Sequence, residues 1–332
     1  MDTHAGRQAA ADEWPEADLE FLGVCPCCGS KERRVHVDDL RDFLTGAAPG
    51  SWRMWRCENC NAAYLDPRPS AASMGRAYAG YYTHTEPTGA IRALVDRVKF
   101  EIRKATASQS SAFQYRARNV PRAPKRGLRV LDVGFGGGDF LRCARWLGYD
   151  PVGIDFDPET VKTARAEGFD VRLAGVPNSG LPEASFAHIT MSNVLEHLPE
   201  PVAAMEEVFR LLQPGGRLWI NQPNLGALGE AQFGRYWRGY EAPRHLTLWA
   251  ASDLAALLER IGFVDVAIES GGFGAHFYYF RESELQRMGH LPGQAPKDAL
   301  EAAGAEAVRL RPADEIPAEH SECLTIHAYR AA

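Results

Sequence analysis

The sequence predicts an α/β protein whose sheet is wound about a glycine-rich turn, with a small cysteine-clamped ribbon ahead of it. Three observations carry this reading. The stretch LRVLDVGFGGGDFLRCARWLG is an apolar strand, a glycine turn and a helix in succession. A second short strand, PVGID, ends in an acid about twenty residues after that turn. Upstream, two C-x-x-C pairs, Cys25/Cys28 and Cys57/Cys60, bracket an alternating stretch.

The chain of 332 residues is long enough for about two domains. A hydrophobic content of 45% and a charged content of 24% are those of a globular protein. The net charge of −6 argues against a nucleic-acid binder over the whole surface, though it leaves room for a local basic patch. The opening residues, MDTHAGRQAAADEWPEADLE, hold six acids against one arginine and read as a flexible acidic tail over 1–20. They lack the basic start and apolar run of a signal peptide, and no apolar run is long enough to span a bilayer. The expected location is cytoplasmic, where clustered cysteines favour metal over disulfide.

Residues 21–68 form the expected ribbon. Each C-x-x-C turn points two thiolates the same way, and Gly29 and Asn61, each following a second cysteine, tolerate the left-handed backbone such a knuckle needs. Cys25, Cys28, Cys57 and Cys60 would complete a tetrahedral zinc shell, worth roughly 10–16 kcal/mol of apparent folding energy. The span between the pairs alternates at Val35, Val37, Trp52 and Met54 like short strands. A redox pair or unligated core cysteines are the alternatives, and neither gives the second pair a role. Closed four-thiolate zinc is a structural staple, and Cys27 is left over as a bystander.

Residues 69–126 read as a mostly helical cap. Within them, 91–126 carry ten Lys/Arg against Asp96 and Glu101, either a solvated helix face or an attraction for a phosphate-bearing substrate. Tyr81 and Tyr82, just before, either close over a ligand or pack.

From Gly127 the pattern sharpens into the main domain, 127–332. Leu128, Val130, Leu131 and Val133 make a buried strand, and Gly134, Gly136 and Gly138 let backbone approach a ligand closely. Asp132, inside the strand end, can organise the loop and bind a cationic ligand. Phe140, Leu141, Ala144 and Leu147 are helically spaced up to Gly148, where a C-terminal cap belongs. Asp155 can accept hydrogen bonds from two ribose hydroxyls. Asp157 caps the next helix, with Pro158 at its first position.

Taken in order, LDVGFGGGDFL, VGIDFDPETVKTAR, SFAHITMSNVLEHLPEP and LLQPGGRLWINQPN resemble class I S-adenosylmethionine-dependent methyltransferases over roughly residues 127–270. That resemblance implies a Rossmann-like sheet of seven strands, the last antiparallel. The flanking CPCCGS…CENCNAAYLDPRPS and PRHLTLW…LAALLERIGF resemble a bacterial subfamily with an N-terminal zinc ribbon, associated with sugar, polysaccharide or secondary-metabolite modification. By the same resemblance, Asp132, Gly134, Gly136 and Gly138 hold the methionine part of S-adenosylmethionine. Asp155 takes the ribose, Phe156 packs on the adenine, Val176 flanks the base and Asn193 faces the reactive end. Many relatives carry an acid near the turn where this chain has Val176-Pro177, so recognition of the base falls to backbone and packing. Relatives also read Ser-Phe-Asp where this chain has Ser185-Phe186-Ala187.

Methyl transfer to a hydroxyl gains from a general base, for which histidine is suited. His245, in YWRGYEAPRHL, is the first choice and His197, in LEHLPEP, the second. His197 reads equally as a packing residue starting the helix after the fourth strand. Glu196 can pair with it, or the two can assist a metal. Tyr236, Trp237, Tyr240 and Arg244 share the insertion at 224–250 with His245, and suit stacking on a ring and gripping an anion; the plainer reading is a lid whose aromatics are core.

DLAALLERIGF reads as an amphipathic helix, VDVAIES as a strand and ECLTIHAYR as the last strand. The insertion at 271–320 reads as irregular, and either covers the pocket or mediates a homodimer. Three functions follow: methylation of a saccharide or other small molecule on oxygen, methylation of rRNA or tRNA, and a non-catalytic cofactor-binding scaffold. Overall acidity weakens the nucleic-acid reading, and the intact glycine loop with Asp155 weakens the scaffold.

Overall fold

A computed structural model describes residues 13–79, 98, 118–310 and 316–332. The expectations for Tyr81, Tyr82, most of the basic stretch and most of the acidic tail lie outside these residues. The strands are β1 (Leu19–Glu20), β2 (Arg33–Leu40), β3 (Trp52–Cys57), β4 (Ala63–Leu65), β5 (Arg68–Pro69), β6 (Arg129–Val133) and β7 (Asp150–Asp155). They continue with β8 (Asp170–Leu173), β9 (Phe186–Ser192), β10 (Leu212–Pro223), β11 (Thr247–Leu248), β12 (Phe263–Ser270) and β13 (Cys323–Arg330). The described α-helices are α1 (Asp139–Trp146), α2 (Pro158–Ala166), α3 (Pro201–Leu211), α4 (Leu228–Phe233), α5 (Ala251–Ile261), α6 (Gly272–Arg287) and α7 (Lys297–Arg309). Among the described residues, no helix is long and apolar enough to cross a membrane. The chain divides into two compact units.

The first unit gathers the described residues of 13–79, 223–250 and 270–323. Its sheet runs β11-β4-β3-β2. The β2–β3 pairing is antiparallel, with Arg33 opposite Cys57 and a bulge after Val35. Alternation along β3 sends Trp52 and Met54 into a core shared with Leu65, Trp237, Tyr240, Leu246 and Phe280. A strand from the segment after β10 therefore completes the ribbon: Thr247 and Leu248 pair with Tyr64 and Ala63.

The insertion at 271–320, expected to be irregular, is instead largely helical, with α6 and α7 packed together. In α7, Ala299, Ala303 and Ala307 are buried at a spacing of four, one face of a helix. The α6 signal is blurred because Glu282 and Ser283 are buried beside Tyr279, Phe280 and Leu285, so no purely apolar stripe marks its inner face.

The second unit holds the described residues of 118–222, 251–269 and 324–332, with residue 98. Its seven-stranded sheet has the order β12-β13-β10-β9-β6-β7-β8, the class I methyltransferase arrangement that the sequence predicted. From β10 through β9, β6 and β7 to β8 the pairings are parallel, and Val130, Leu131 and Val133 of β6 are buried as a central strand requires. The Asp157 carboxylate accepts the Glu159 amide at 2.9 Å and caps α2. Helix α1 ends before Gly148, whose φ of +94° turns the chain. Strand order reverses between β6 and β9, which opens a crevice at their carboxyl ends, where open α/β sheets bind ligands.

Candidate functional site

The loops after β6, β7, β8 and β9 line that crevice edge. In the first, Gly136 has a φ of +49°, and its amide donates to Asp155 Oδ2 at 3.0 Å. The Asp157 amide donates to Asp155 Oδ1 at 3.0 Å. Burial pushes the Asp155 carboxyl pKa up, and the two amides pull it partly back. A Cβ on Gly134 would lie 2.6 Å from Val194 Cγ2, so the loop approaches the segment after β9 at backbone distance. A Cβ on Gly136 would meet no described atom within 4 Å, which leaves that side of the loop open.

Asp132 is fully buried. Its Oδ1 accepts Arg118 Nη1 at 2.9 Å and Thr190 Oγ1 at 2.7 Å. Its Oδ2 has no hydrogen-bond partner among the described residues. Burial raises the carboxyl to about 6, against the pull of Arg118 and the Thr190 hydroxyl. Of the other predicted cofactor residues, Phe156 is 67% exposed, Val176 is buried, and Gly138, at φ +74°, precedes α1. Asn193 follows β9 at φ +51°, its amide donating to Asn221 O at 2.8 Å.

Three residues on this side were not singled out in the sequence, each holding a partner 14 or more residues away. Arg118 reaches Asp132 and also lies 4.9 Å over the Phe140 ring. Arg142 of α1 donates to Gly137 O at 2.6 Å and to Glu167 at 2.9 Å, bracing the glycine loop from behind. Glu207 of α3 holds the loop after β8.

His197 ends a short 3₁₀ turn, Leu195–His197, and does not start the following helix. Pro199 and Pro201 explain the shift: a residue before proline is pushed out of helical geometry, so α3 begins at Pro201. His197 is half-buried and Glu196 is fully buried.

In the first unit, the four sulfurs of Cys25, Cys28, Cys57 and Cys60 all lie within 4.8 Å of one another. Cys25 to Cys60 is 3.6 Å and Cys28 to Cys57 is 3.5 Å. Thiolates about 2.3 Å from a zinc ion stand about 3.8 Å apart on tetrahedral edges, so the cluster has the right size. Both knuckles close as the sequence suggested: Gly29 donates to Cys25 O at 2.9 Å and Asn61 to Cys57 O at 3.1 Å, with φ of +72° and +57°. Cys27 is buried, its amide donating to Cys25 Sγ at 3.4 Å.

The expected substrate-gripping residues are committed inside this unit. Arg244 is fully buried; its Nη2 meets Asp42 Oδ1 at 2.5 Å, its Nη1 meets Asp42 Oδ2 at 3.0 Å, and its Nε meets Glu241 at 3.1 Å. A guanidinium so engaged cannot grip an external anion without breaking a buried pair. Trp237 donates to Glu322 at 2.7 Å and Tyr240 to Glu230 at 2.8 Å, and both rings belong to the core. Tyr236 is half-buried, its ring 5.3 Å from that of Phe43. The plainer of the two sequence readings, aromatics as core, fits Trp237 and Tyr240. His245 is buried, its Nδ1 donating to Gly239 O at 2.7 Å and its Nε2 lying 3.4 Å from Glu241.

The chain is similar to several known proteins. The chain is 39% identical over 105 residues to a ubiquinone biosynthesis O-methyltransferase of Xanthomonas oryzae, covering 30% of this chain and 44% of that protein. It is 36% identical over 110 residues to the protein of the same name from Xylella fastidiosa, covering 31% and 45%. The chain thus spans less than half the length of these curated relatives. Phosphoethanolamine N-methyltransferase 2 of Haemonchus contortus, solved with S-adenosyl-L-methionine, aligns over 81% of this chain and 63% of its own, at 15% identity and a TM-score of 0.48. Residues 106–268 match the family described as a methyltransferase domain, and with β13 added from the C-terminal end the seven-stranded sheet has the fold of the class I S-adenosylmethionine-dependent methyltransferases.

Proposed function

We propose that this chain is an S-adenosylmethionine-dependent methyltransferase acting on a hydroxyl of a saccharide or secondary-metabolite small molecule, with a structural zinc ion in its ribbon. The observation that carries the reading is the pair of acids at the crevice: Asp155 locked by two amides, and Asp132 with one buried oxygen unpartnered. A buried carboxylate oxygen left unmatched is costly, and a cationic ligand is what would satisfy it. Beside it stand a positive-φ glycine loop open on one side and the exposed Phe156 ring. This donor set fits S-adenosylmethionine: a cation, a ribose diol and a flat base.

When bound, the cofactor supplies a methyl group already activated on a sulfonium. In this reading Asp155 accepts from the ribose hydroxyls. Phe156 and Val176 flank the base. Asp132, Gly134, Gly136 and Gly138 hold the methionine portion, and Asn193 lies toward the reactive end. Positioning supplies most of the rate, since holding two reactants in line is worth roughly 7–11 kcal/mol. His245 serves as base through Nε2, with His197 as the second choice. Support for a hydroxyl acceptor comes from the relatives named as O-methyltransferases of ubiquinone biosynthesis. In the ribbon, four thiolates in so small a volume repel one another, and a divalent cation is what lets them share it.

Incubation with methyl-labelled S-adenosylmethionine and fractionated cell extract, followed by mass analysis, tests the acceptor. Label in a small-molecule or saccharide fraction is expected. Label in RNA alone would replace this reading with the nucleic-acid one, and label in no fraction would favour a binding scaffold.

A further inference from the structure

The loop after β8 begins with Ala174, Gly175, Val176 and Pro177, none of which has a polar side chain. It starts at the crevice, where the Ala174 amide donates to Asp155 O at 3.1 Å. If this loop meets a base, it can read hydrogen-bonding edges only through its backbone. Backbone recognition needs a fixed backbone, because each freely rotating residue carries an entropy cost of roughly 1–2 kcal/mol when ordered.

The fixing comes from one side chain on a different element. Glu207 is a charged residue on α3 that is only 9% exposed. Its carboxylate accepts the Asn178 amide, the Ser179 amide at 3.1 Å and the Ser179 hydroxyl at 2.7 Å. Arg210, one turn later, donates to the same carboxylate at 3.2 Å and to Leu181 O at 3.4 Å. Asn178 itself sits at φ +78°, a conformation that costs a side-chain-bearing residue energy unless its neighbours hold it. A helix position of this kind would ordinarily carry an apolar residue, and burying a carboxylate there is compensated only by these donors.

We infer that Glu207 is a positioning residue that sets the base selectivity of the cofactor crevice, by latching the loop whose backbone reads the base. The inference rests on the cofactor reading above.

The test compares Glu207→Gln, Glu207→Ala and the unaltered chain in binding S-adenosylhomocysteine and its inosine-based analogue, whose base carries a 6-oxo group and an N1–H where adenine has a 6-amino group and an N1 acceptor. Amide exchange at residues 178–179 is followed in parallel. The unaltered chain should prefer the adenine form. Glu207→Ala should weaken that form about tenfold, shrink the preference toward one and speed exchange at Asn178 and Ser179. Glu207→Gln, which keeps one acceptor oxygen and packs alike, should fall between and guards against a fold lost in the alanine variant. Equal weakening of both ligands, or unchanged exchange at 178–179, would overturn the latch. Failure of the unaltered chain to bind either ligand would overturn the cofactor reading and this inference with it.

Discussion

The Gly136 amide donates to Asp155 Oδ2 at 3.0 Å, joining the glycine loop after β6 to the acid that ends β7. The second Asp155 oxygen takes the Asp157 amide at the start of α2. One buried carboxylate therefore sets two loops at once, and both face the crevice at which strand order reverses. Any ligand gripped by Asp155 meets a glycine loop already held in place.

His245→Ala should lower turnover by about 10²–10⁴-fold if the acceptor is a hydroxyl, while the affinity for S-adenosylhomocysteine stays as it was. The histidine Nδ1 donates to Gly239 O, which leaves Nε2 as the nitrogen that would take the proton from the acceptor. Steady-state kinetics beside equilibrium binding separates the two effects. Full turnover in the variant removes His245 as base.

Cys28→Ser should lower bound zinc measured by atomic absorption, because Cys28 Sγ stands 3.5 Å from Cys57 Sγ within the four-sulfur cluster. Cys27→Ser should leave zinc at one ion per chain. The opposite pair of outcomes would move the knuckle by one residue. Chelation should also lower the melting temperature of the unaltered chain.

Arg244→Ala should destabilise the first unit by about 3–5 kcal/mol, since it takes the guanidinium away from the buried Asp42 carboxylate. The double variant Arg244→Met with Asp42→Leu should cost less than the Arg244→Met and Asp42→Leu losses added, with the unaltered chain as the fourth corner of the cycle. Denaturant unfolding of all four chains reads this coupling, and simple additivity would show that the pair is not coupled.

Asp132 titrates near 6 in the folded chain, against an ordinary value of 3.8, mainly because it is buried. The folded value lies above the unfolded one. Its contribution to stability is therefore complete below about 3.8 and is lost as pH rises through about 6. A rise of that size disfavours the charged carboxylate by about 3 kcal/mol. Without cofactor, the unaltered chain should lose up to that much stability relative to Asp132→Asn between pH 4 and 7, measured by urea unfolding. Parallel curves would show that Asp132 has the same pKa folded and unfolded, so that its burial does not disfavour the charged carboxylate.

Most of the sheet was legible in the sequence. Strand β6, its glycine turn and the Asp157 cap of α2 are local signals in which propensity and burial agree. The four-cysteine cluster was legible for the same reason, because each knuckle is fixed within four residues. What escaped depended on distance along the chain. Arg118 was one basic residue among ten until the sheet brought Asp132 to it. Nothing local marks Glu207, whose partner Ser179 turns its amide to that carboxylate from 28 residues upstream. Trp237, Tyr240 and Arg244 have the composition of a binding surface, but Glu322, Glu230 and Asp42 take up their polar groups. The α6 helix was missed because its buried face includes Glu282 and Ser283, which interrupt the apolar period.

Titration calorimetry with S-adenosylhomocysteine, run on the unaltered chain and on Asp155→Ala, tests the central claim most directly. One site per chain is expected, with affinity falling at least tenfold in the variant while its circular dichroism is unchanged. No binding by the folded, unaltered chain, or equal binding by both, would contradict the account.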